Sequence, residues 1–239
     1  MPLIDQFNAL LARIEKAYSQ MEGFNADVAH ELCTPLATLI ANNELALRHP
    51  DQADMQEVIA SNLEELHRLT GIVNDMLFLS QADRGVGARR APVSSLASLA
   101  ADVLDYHEAS LAEAGLTAKV VGDVQGAFDA PLLRRALSNL LGNATRYARP
   151  GSIVQVCFKM TDEDRVLITV TNCGDTIDPE ILPHFFDRFF RADPARSHGQ
   201  SNHGLGLAIV GAIARMHQGK PVAWSDSGVT SVGLEINAH

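Results

Sequence analysis

His30 and Glu31 stand side by side in a run reading His-Glu-Leu-Cys-Thr-Pro, and Asn139 and Asn143 lie four apart in a later, helix-like segment. A neutral histidine ring is nucleophilic near pH 7, and an adjacent carboxylate can take its proton. Residues four apart on a helix share one face. Two amide oxygens there suit Mg²⁺, which takes hard ligands and shares them with water and substrate phosphates. Arg146 and Tyr147 follow on the next turn, a phosphate contact and an aromatic face. A nucleophile in one half and a Mg-nucleotide site in the other point to ATP-driven phosphorylation of the chain's own histidine.

Three further segments bear on that reading. Thr171-Asn172-Cys173-Gly174 closes an apolar strand, where Asn172 could meet a purine edge and Gly174 lets the backbone come close. An ordinary strand-ending turn reads the same way. Gly204-Leu205-Gly206 opens an apolar helix, and helix N-termini bind anions through free N–H groups. There is no G-x-x-x-x-G-K-[ST], so a P-loop is excluded as the phosphate cradle. Phe185 to Arg191 holds four of the nine phenylalanines, a small satellite core or the anchor of a lid whose Arg188 and Arg191 turn toward phosphate. Residues 193–203 are polar, as a lid should be. His198 and His203 share this loop, but no close cysteine or carboxylate set completes a metal site.

The elements that must position these groups are legible in the apolar spacing. Leu3, Phe7, Leu10, Ile14, Ala17, Met21, Phe24 and Val28 step by alternating fours and threes, a coiled-coil seam that needs a partner helix. After Val28 the apolar set shifts to Leu32, Leu36 and Leu39, a stutter that falls at His30 and turns Glu31 off the seam. Pro35 cannot donate to the Glu31 carbonyl, so a functional bend is expected here. His49-Pro50-Asp51 ends the helix. A second amphipathic run follows, with Met55, Ile59, Leu63, Leu66, Val73 and Leu77. Two helices joined by a short turn make a hairpin, and two hairpins make a four-helix bundle.

Asp83 to Pro92 is polar, with two glycines and a proline, and reads as a linker. Beyond Ser94 the pattern becomes mixed: a helix over roughly 95–114, β-prone runs near 117–121 and 125–128, and the asparagine helix opened by Asp129 and Pro131. Strands over Ile153–Met160 and Arg165–Thr171, a helix from about Leu205 to His217 and two final strands complete it.

The net charge of −10 excludes a broad nucleic-acid-binding face. Cys33, Cys157 and Cys173 are odd in number and form no C-x-x-C pair, which favours free thiols in a reducing compartment. No signal peptide and no apolar run near 18 residues is present, so this chain is expected to be soluble as it stands.

In this order the segments resemble the sensor histidine kinases of bacterial two-component systems. His30 to Leu36 is similar to their H-box, Asn139 to Tyr147 to the N-box, Asn172 to Gly174 to G1, Phe185 to Arg191 to the F-box and Gly204 to Gly206 to G2. The resemblance implies an α+β protein: an N-terminal dimeric antiparallel helical hairpin (a four-helix bundle) followed by an α/β-sandwich, Bergerat-type ATP-binding domain of the GHKL superfamily. It implies a HAMP-like helix end over 1–23, a dimerisation and phosphotransfer domain over 24–84, a linker over 85–93 and a catalytic domain over 94–239.

By position, His30 is then the phosphoacceptor, Glu31 its base, and Thr34 orients water when the same site dephosphorylates the regulator. Asn143 is the Mg²⁺ ligand. Asn139, Asn143, Arg146, Tyr147, Asn172, Gly174, Arg188, Arg191, Gly204, Leu205 and Gly206 form the ATP site. The implied partners are a second copy of the chain and the receiver domain of a response regulator. The implied location is the cytoplasmic part of an inner-membrane protein, tied to the membrane only through an N-terminal sensor region.

The chain departs from the pattern at three places. Asn172 replaces the aspartate that usually takes the adenine amino group, so weaker nucleotide binding is expected. Thr176 replaces the second G1 glycine, and Cys33 stands where arginine is frequent. The motif spellings are similar to those of the heavy-metal-responsive branch. A dimeric scaffold that binds nucleotide without useful phosphotransfer is the competing reading. A GHKL ATPase of the chaperone or mismatch-repair kind would lack the H-box hairpin.

Overall fold

The computed structural model describes residues 2–49, 54–162, 164–191 and 203–239. The chain divides into two compact units, Met1–Asn74 and Asp75–His239.

The first unit is a hairpin of α1 (Pro2–Arg48) and the larger part of α2 (Met55–Asp83). Asp54 starts α2 by accepting at Oδ1 from the amides of Gln56 and Glu57, at 2.9 and 3.3 Å. Across the hairpin, Asn42 Nδ2 donates to Ser61 Oγ (3.1 Å) and to Asn62 Oδ1 (3.4 Å), and Asn62 Nδ2 donates to Asn43 Oδ1 (3.2 Å). These amides pair short of the turn and fix the register of two antiparallel helices. Pro35, Ala46 and Ile72 are buried. The α-helix runs on through Pro35.

A second apolar strip is left bare on the same unit. Leu36, Ile40 and Leu47 on α1, and Met55, Ile59, Leu63, Leu66 and Val73 on α2, are all exposed large hydrophobic side chains. Among the described residues of the N-terminal seam, Phe7, Leu10 and Ile14 are more than half exposed. The seam side chains Leu3, Ala17, Met21 and Phe24 lie outside the described set, as do residues 50–53.

The second unit begins with the last turns of α2 and is built on a five-stranded sheet of order β2-β4-β5-β7-β6. Its strands are β2 (Thr117–Val121), β4 (Ile153–Asp162), β5 (Arg165–Cys173), β6 (Lys220–Asp226) and β7 (Val229–Asn237). Only β2–β4 is parallel; the other pairs are antiparallel. Alternation sets the faces: Val154, Val156, Phe158, Val166, Ile168, Val170, Val232, Leu234 and Ile236 are buried. Helices α3 (Leu96–Glu113), α4 (Ala130–Tyr147) and α5 (Gly206–Met216) cover this inner face with Leu133, Leu137, Leu140, Ile209 and Ile213. Ser95 caps α3, and Asp129 caps α4 by accepting from the Leu132 amide at 3.2 Å. Among the described residues no helix is long and apolar enough to cross a membrane.

The segment expected to be a linker is largely laced onto this unit. Ala91–Val93 forms strand β1, antiparallel to β3 (Gly126–Phe128). The Ala88 amide donates to Met216 O (3.1 Å), Arg89 N to Asp129 Oδ2 (2.8 Å) and Arg90 Nη2 to His217 O (2.8 Å). His217, fully buried, is the centre of this knot. Its Nε2 accepts from the Asp129 amide (3.2 Å) and its Nδ1 pairs with Ile213 O (2.9 Å). Such a ring is neutral, and burial accordingly pulls its pKa below the usual histidine range.

Candidate functional site

The candidate phosphoacceptor residues lie in the first unit. His30 is exposed and Glu31 half-buried on α1. Thr34 Oγ1 donates to the His30 carbonyl at 3.1 Å, and Thr38 Oγ1 to the Thr34 carbonyl at 3.2 Å. These bonds restore acceptor partners one turn from the point where Pro35 removes a donor. Thr34 therefore spends its proton on the helix, and its hydroxyl lone pairs remain for a water. Cys33 is a free, exposed thiol beside them.

The candidate nucleotide half is assembled in the second unit around three glycines, two of which face backbone at a distance that excludes a side chain and one of which meets a side-chain amide tightly. A Cβ at Gly206 would lie 3.1 Å from Asn139 Oδ1, so the start of α5 abuts the asparagine face of α4. At Gly174 it would lie 2.5 Å from the Tyr147 carbonyl, which sets the end of β5 against the end of α4. At Gly204, whose φ is +67°, it would lie 2.7 Å from the Phe189 backbone. The Phe189 amide donates to Gly204 O at 3.0 Å, and Phe189 itself has φ 60°, a costly conformation for a bulky residue. Four segments widely separated in sequence thus meet through backbone contacts.

Helix α4 is pinned from three sides. Arg134 Nη2 bonds Asp102 Oδ2 on α3 at 2.6 Å, and His107 Nε2 pairs with Ser138 Oγ at 2.7 Å. Arg135 Nη2 bonds Asp75 Oδ1 on α2 at 2.5 Å, with its guanidinium 4.2 Å from the Phe78 ring centre. Asn139, Asn143 and Arg146 are half-buried and Tyr147 is 46% exposed.

The residues fit a nucleotide. Asn172 is 4% exposed at the end of β5, and its side chain makes no hydrogen bond among the described residues. Its Nδ2 points toward Gly174, 3.5 Å from where a Cβ would stand. Leu205, in the cap position of α5, gives no side-chain cap, and an uncapped helix start of this kind suits an anion. Among the described residues no group of three or more His, Cys, Asp or Glu is placed to hold a metal ion. Mg²⁺ would rest on Asn143 and substrate phosphates, as it does where no protein cage exists.

Two placements were not legible in the sequence. Thr176 Oγ1 accepts from the Gly228 amide at 2.8 Å, and the Gly174 amide donates to Gly228 O at 2.9 Å. The second G1 glycine is thus replaced by a brace to the β6–β7 turn, where Ser227 and Gly228 both have positive φ (49° and 78°). Asp226-Ser-Gly228 was a readable hairpin signal, but nothing local ties it to Thr176. Arg188, expected at phosphate, bonds Asp83 Oδ2 at 2.5 Å. Arg191 is half-buried, and His203 and Leu205 are buried. The expected lid over 193–203 lies outside the described residues except for His203.

Two family models match the chain: "His Kinase A (phospho-acceptor) domain" over residues 20–85, and "Histidine kinase-, DNA gyrase B-, and HSP90-like ATPase" over 128–237. Sensor histidine kinase CusS of Escherichia coli strain K12 is 41% identical over 238 residues, 99% of this chain and 49% of the relative. Acinetobacter baumannii histidine kinase AdeS superposes with a TM-score of 0.74 at 20% identity, covering 88% of this chain and 98% of that one. Histidine kinase ThkA, solved in complex with response regulator protein TrrA, gives 0.71 at 20% identity, covering 94% of this chain and 64% of that one. A phosphoacceptor hairpin followed by a GHKL-type ATPase fold defines the class. The chain belongs to the sensor histidine kinases. It spans about half the length of the curated relatives it matches.

Proposed function

We propose that the chain is the catalytic core of a sensor kinase that phosphorylates His30 with Mg-ATP and passes the phosphoryl group to an aspartate of a response regulator. The observation that carries this is the close approach of Gly206 to Asn139, of Gly174 to Tyr147 and Asn172, and of Gly204 to Phe189, in a chain that also exposes His30 beside Glu31. In the transfer, Glu31 takes the ring N–H of His30. The lone pair of the other ring nitrogen attacks the γ-phosphorus, and the bond to the bridging oxygen of ADP breaks. Mg²⁺ held at Asn143 would neutralise phosphate charge. Asn172 offers its amide oxygen to the adenine amino group, Tyr147 an aromatic face, and Arg146, Arg188, Arg191 and the start of α5 the phosphate contacts.

In the reverse sense, Thr34 orients the water that dephosphorylates the regulator. Residues 1–23 act as the end of a HAMP-like helix, 24–84 as the dimerisation and phosphotransfer domain, 85–93 as the linker and 94–239 as the catalytic domain. The bare apolar strip on α1 and α2 supports a homodimer, since sustained exposed rows of this kind are buried in bundles. The match to about half of each relative supports a larger, membrane-anchored protein with this part in the cytoplasm. The motif spellings support the heavy-metal-responsive branch.

The test is a chase: γ-labelled ATP and Mg²⁺ with the chain, then an isolated receiver domain. Label moving from chain to receiver is expected. A chain that binds ATP and never takes up label contradicts the proposal.

A further inference from the structure

Asp83 is the last residue of α2, where a carboxylate faces the negative end of the helix dipole and no basic residue lies in the final turn. The helix alone would not favour it there. Its partner is Arg188, at 2.5 Å, and the side chains are 51% and 30% exposed. Arg188 adjoins Phe189, whose strained backbone is bonded to Gly204, two residues before the glycine that abuts Asn139. The guanidinium that the proposed function assigns to phosphate is therefore committed to a carboxylate on another helix, one residue from the nucleotide half-site. The Nη2 bond to Asp83 fixes where the rigid fork points, and turning the fork toward phosphate oxygens draws it away from that carboxylate.

We infer that Asp83 and the nucleotide phosphates compete for Arg188, so that Asp83 is a positioning residue linking nucleotide occupancy to the end of α2. The inference rests on the reading of Arg188 as a phosphate contact. Coupling of this kind is reciprocal. Whatever factor the Asp83 pair takes from nucleotide affinity, bound nucleotide takes from the pair. The pair is partly solvated, so the factor is small, about threefold. A second tie, Arg135 to Asp75 and Phe78, involves no residue of the phosphate set and keeps the preceding turns of α2 in place when Asp83 lets go. Nucleotide thus releases the end of α2 beyond Leu79, while Phe78, Leu79 and the strand β1 that follows stay packed.

The experiment is calorimetric titration of the full chain with a non-hydrolysable ATP analogue and Mg²⁺. It compares wild type, Asp83→Asn, Asp83→Glu, Arg188→Gln and the double variant Asp83→Asn with Arg188→Gln. Circular dichroism accompanies each, and Asp75→Asn serves as the control for loosened packing. Arg188→Gln is expected to weaken binding about tenfold, and Asp83→Asn to tighten it about threefold. Asp83→Glu should return it toward wild type, and Asp83→Asn should add nothing once Arg188 is gone. Unchanged affinity in Arg188→Gln overturns the reading of Arg188 as a phosphate contact. Weakened affinity there, with Asp83→Asn either neutral or equally effective in the Arg188→Gln background, overturns the competition itself. A gain from Asp75→Asn equal to that from Asp83→Asn also overturns it.

Discussion

Asn139 Oδ1 and Gly206 are so close that a methyl group on the glycine would stand 3.1 Å from the oxygen. The helix carrying the amides and the helix whose start is proposed to meet phosphate are thereby held close together. Gly206→Ala is expected to displace the Asn139 amide by a few tenths of an ångström and weaken nucleotide binding about tenfold, because polar sites tolerate little misplacement. Gly206 has an ordinary backbone φ, so the melting temperature should barely move. Equal ATP affinity in the variant, measured by fluorescent-nucleotide titration, would contradict this.

In the proposed site Asn172 would meet adenine with an amide where the family pattern has a carboxylate. Asn172→Asp should tighten ATP binding by about fivefold, the difference between a neutral and a charge-assisted bond in a buried site. Unchanged or poorer affinity counts against Asn172 as the adenine contact.

The exposed row Ile59, Leu63, Leu66 and Val73 should be covered by a second chain. Leu63→Glu with Leu66→Glu is expected to convert a dimer to monomers in sedimentation velocity while nucleotide still binds. A wild-type chain that sediments as a monomer at micromolar concentration removes the basis for this.

His217 predicts a pH effect on stability. The folded chain keeps this ring neutral, whereas the unfolded chain protonates it as pH falls below its ordinary value of 6.5. Stability present above that value is therefore lost progressively as pH falls toward the depressed folded pKa. His107, half-buried against Ser138, is shifted the same way by burial. Melting temperature should drop on going from about pH 7.5 to about pH 5.5, and the drop should be shallower in His217→Gln. An identical slope in that variant would assign the effect to other groups.

The parts of this molecule governed by local chemistry were legible in its sequence. Asp129 and Pro131 announced α4 because a cap and a first-turn proline act within one turn. The strands expected over 153–160 and 165–171 run over 153–162 and 165–173, and the second helix showed an apolar row that is exposed among the described residues. What stayed hidden depends on pairs far apart in the chain. Asp83 and Arg188 are 105 residues apart, and Thr176 and Gly228 are 52 apart. Arg90 to Pro92 read as linker because nothing nearby reveals the His217 carbonyl or the edge of β3. The candidate ATP site was visible as residue types, whereas the contacts that hold its segments together are glycines whose neighbours only the fold supplies.

The central claim is that His30 accepts phosphate. The direct test incubates the wild-type chain and His30→Gln with γ-labelled ATP and Mg²⁺, followed by acid and by alkali. Label that is alkali-stable, acid-labile and absent from His30→Gln is the predicted result. Label retained by the variant, or no label on a wild-type chain shown to bind ATP, would contradict it.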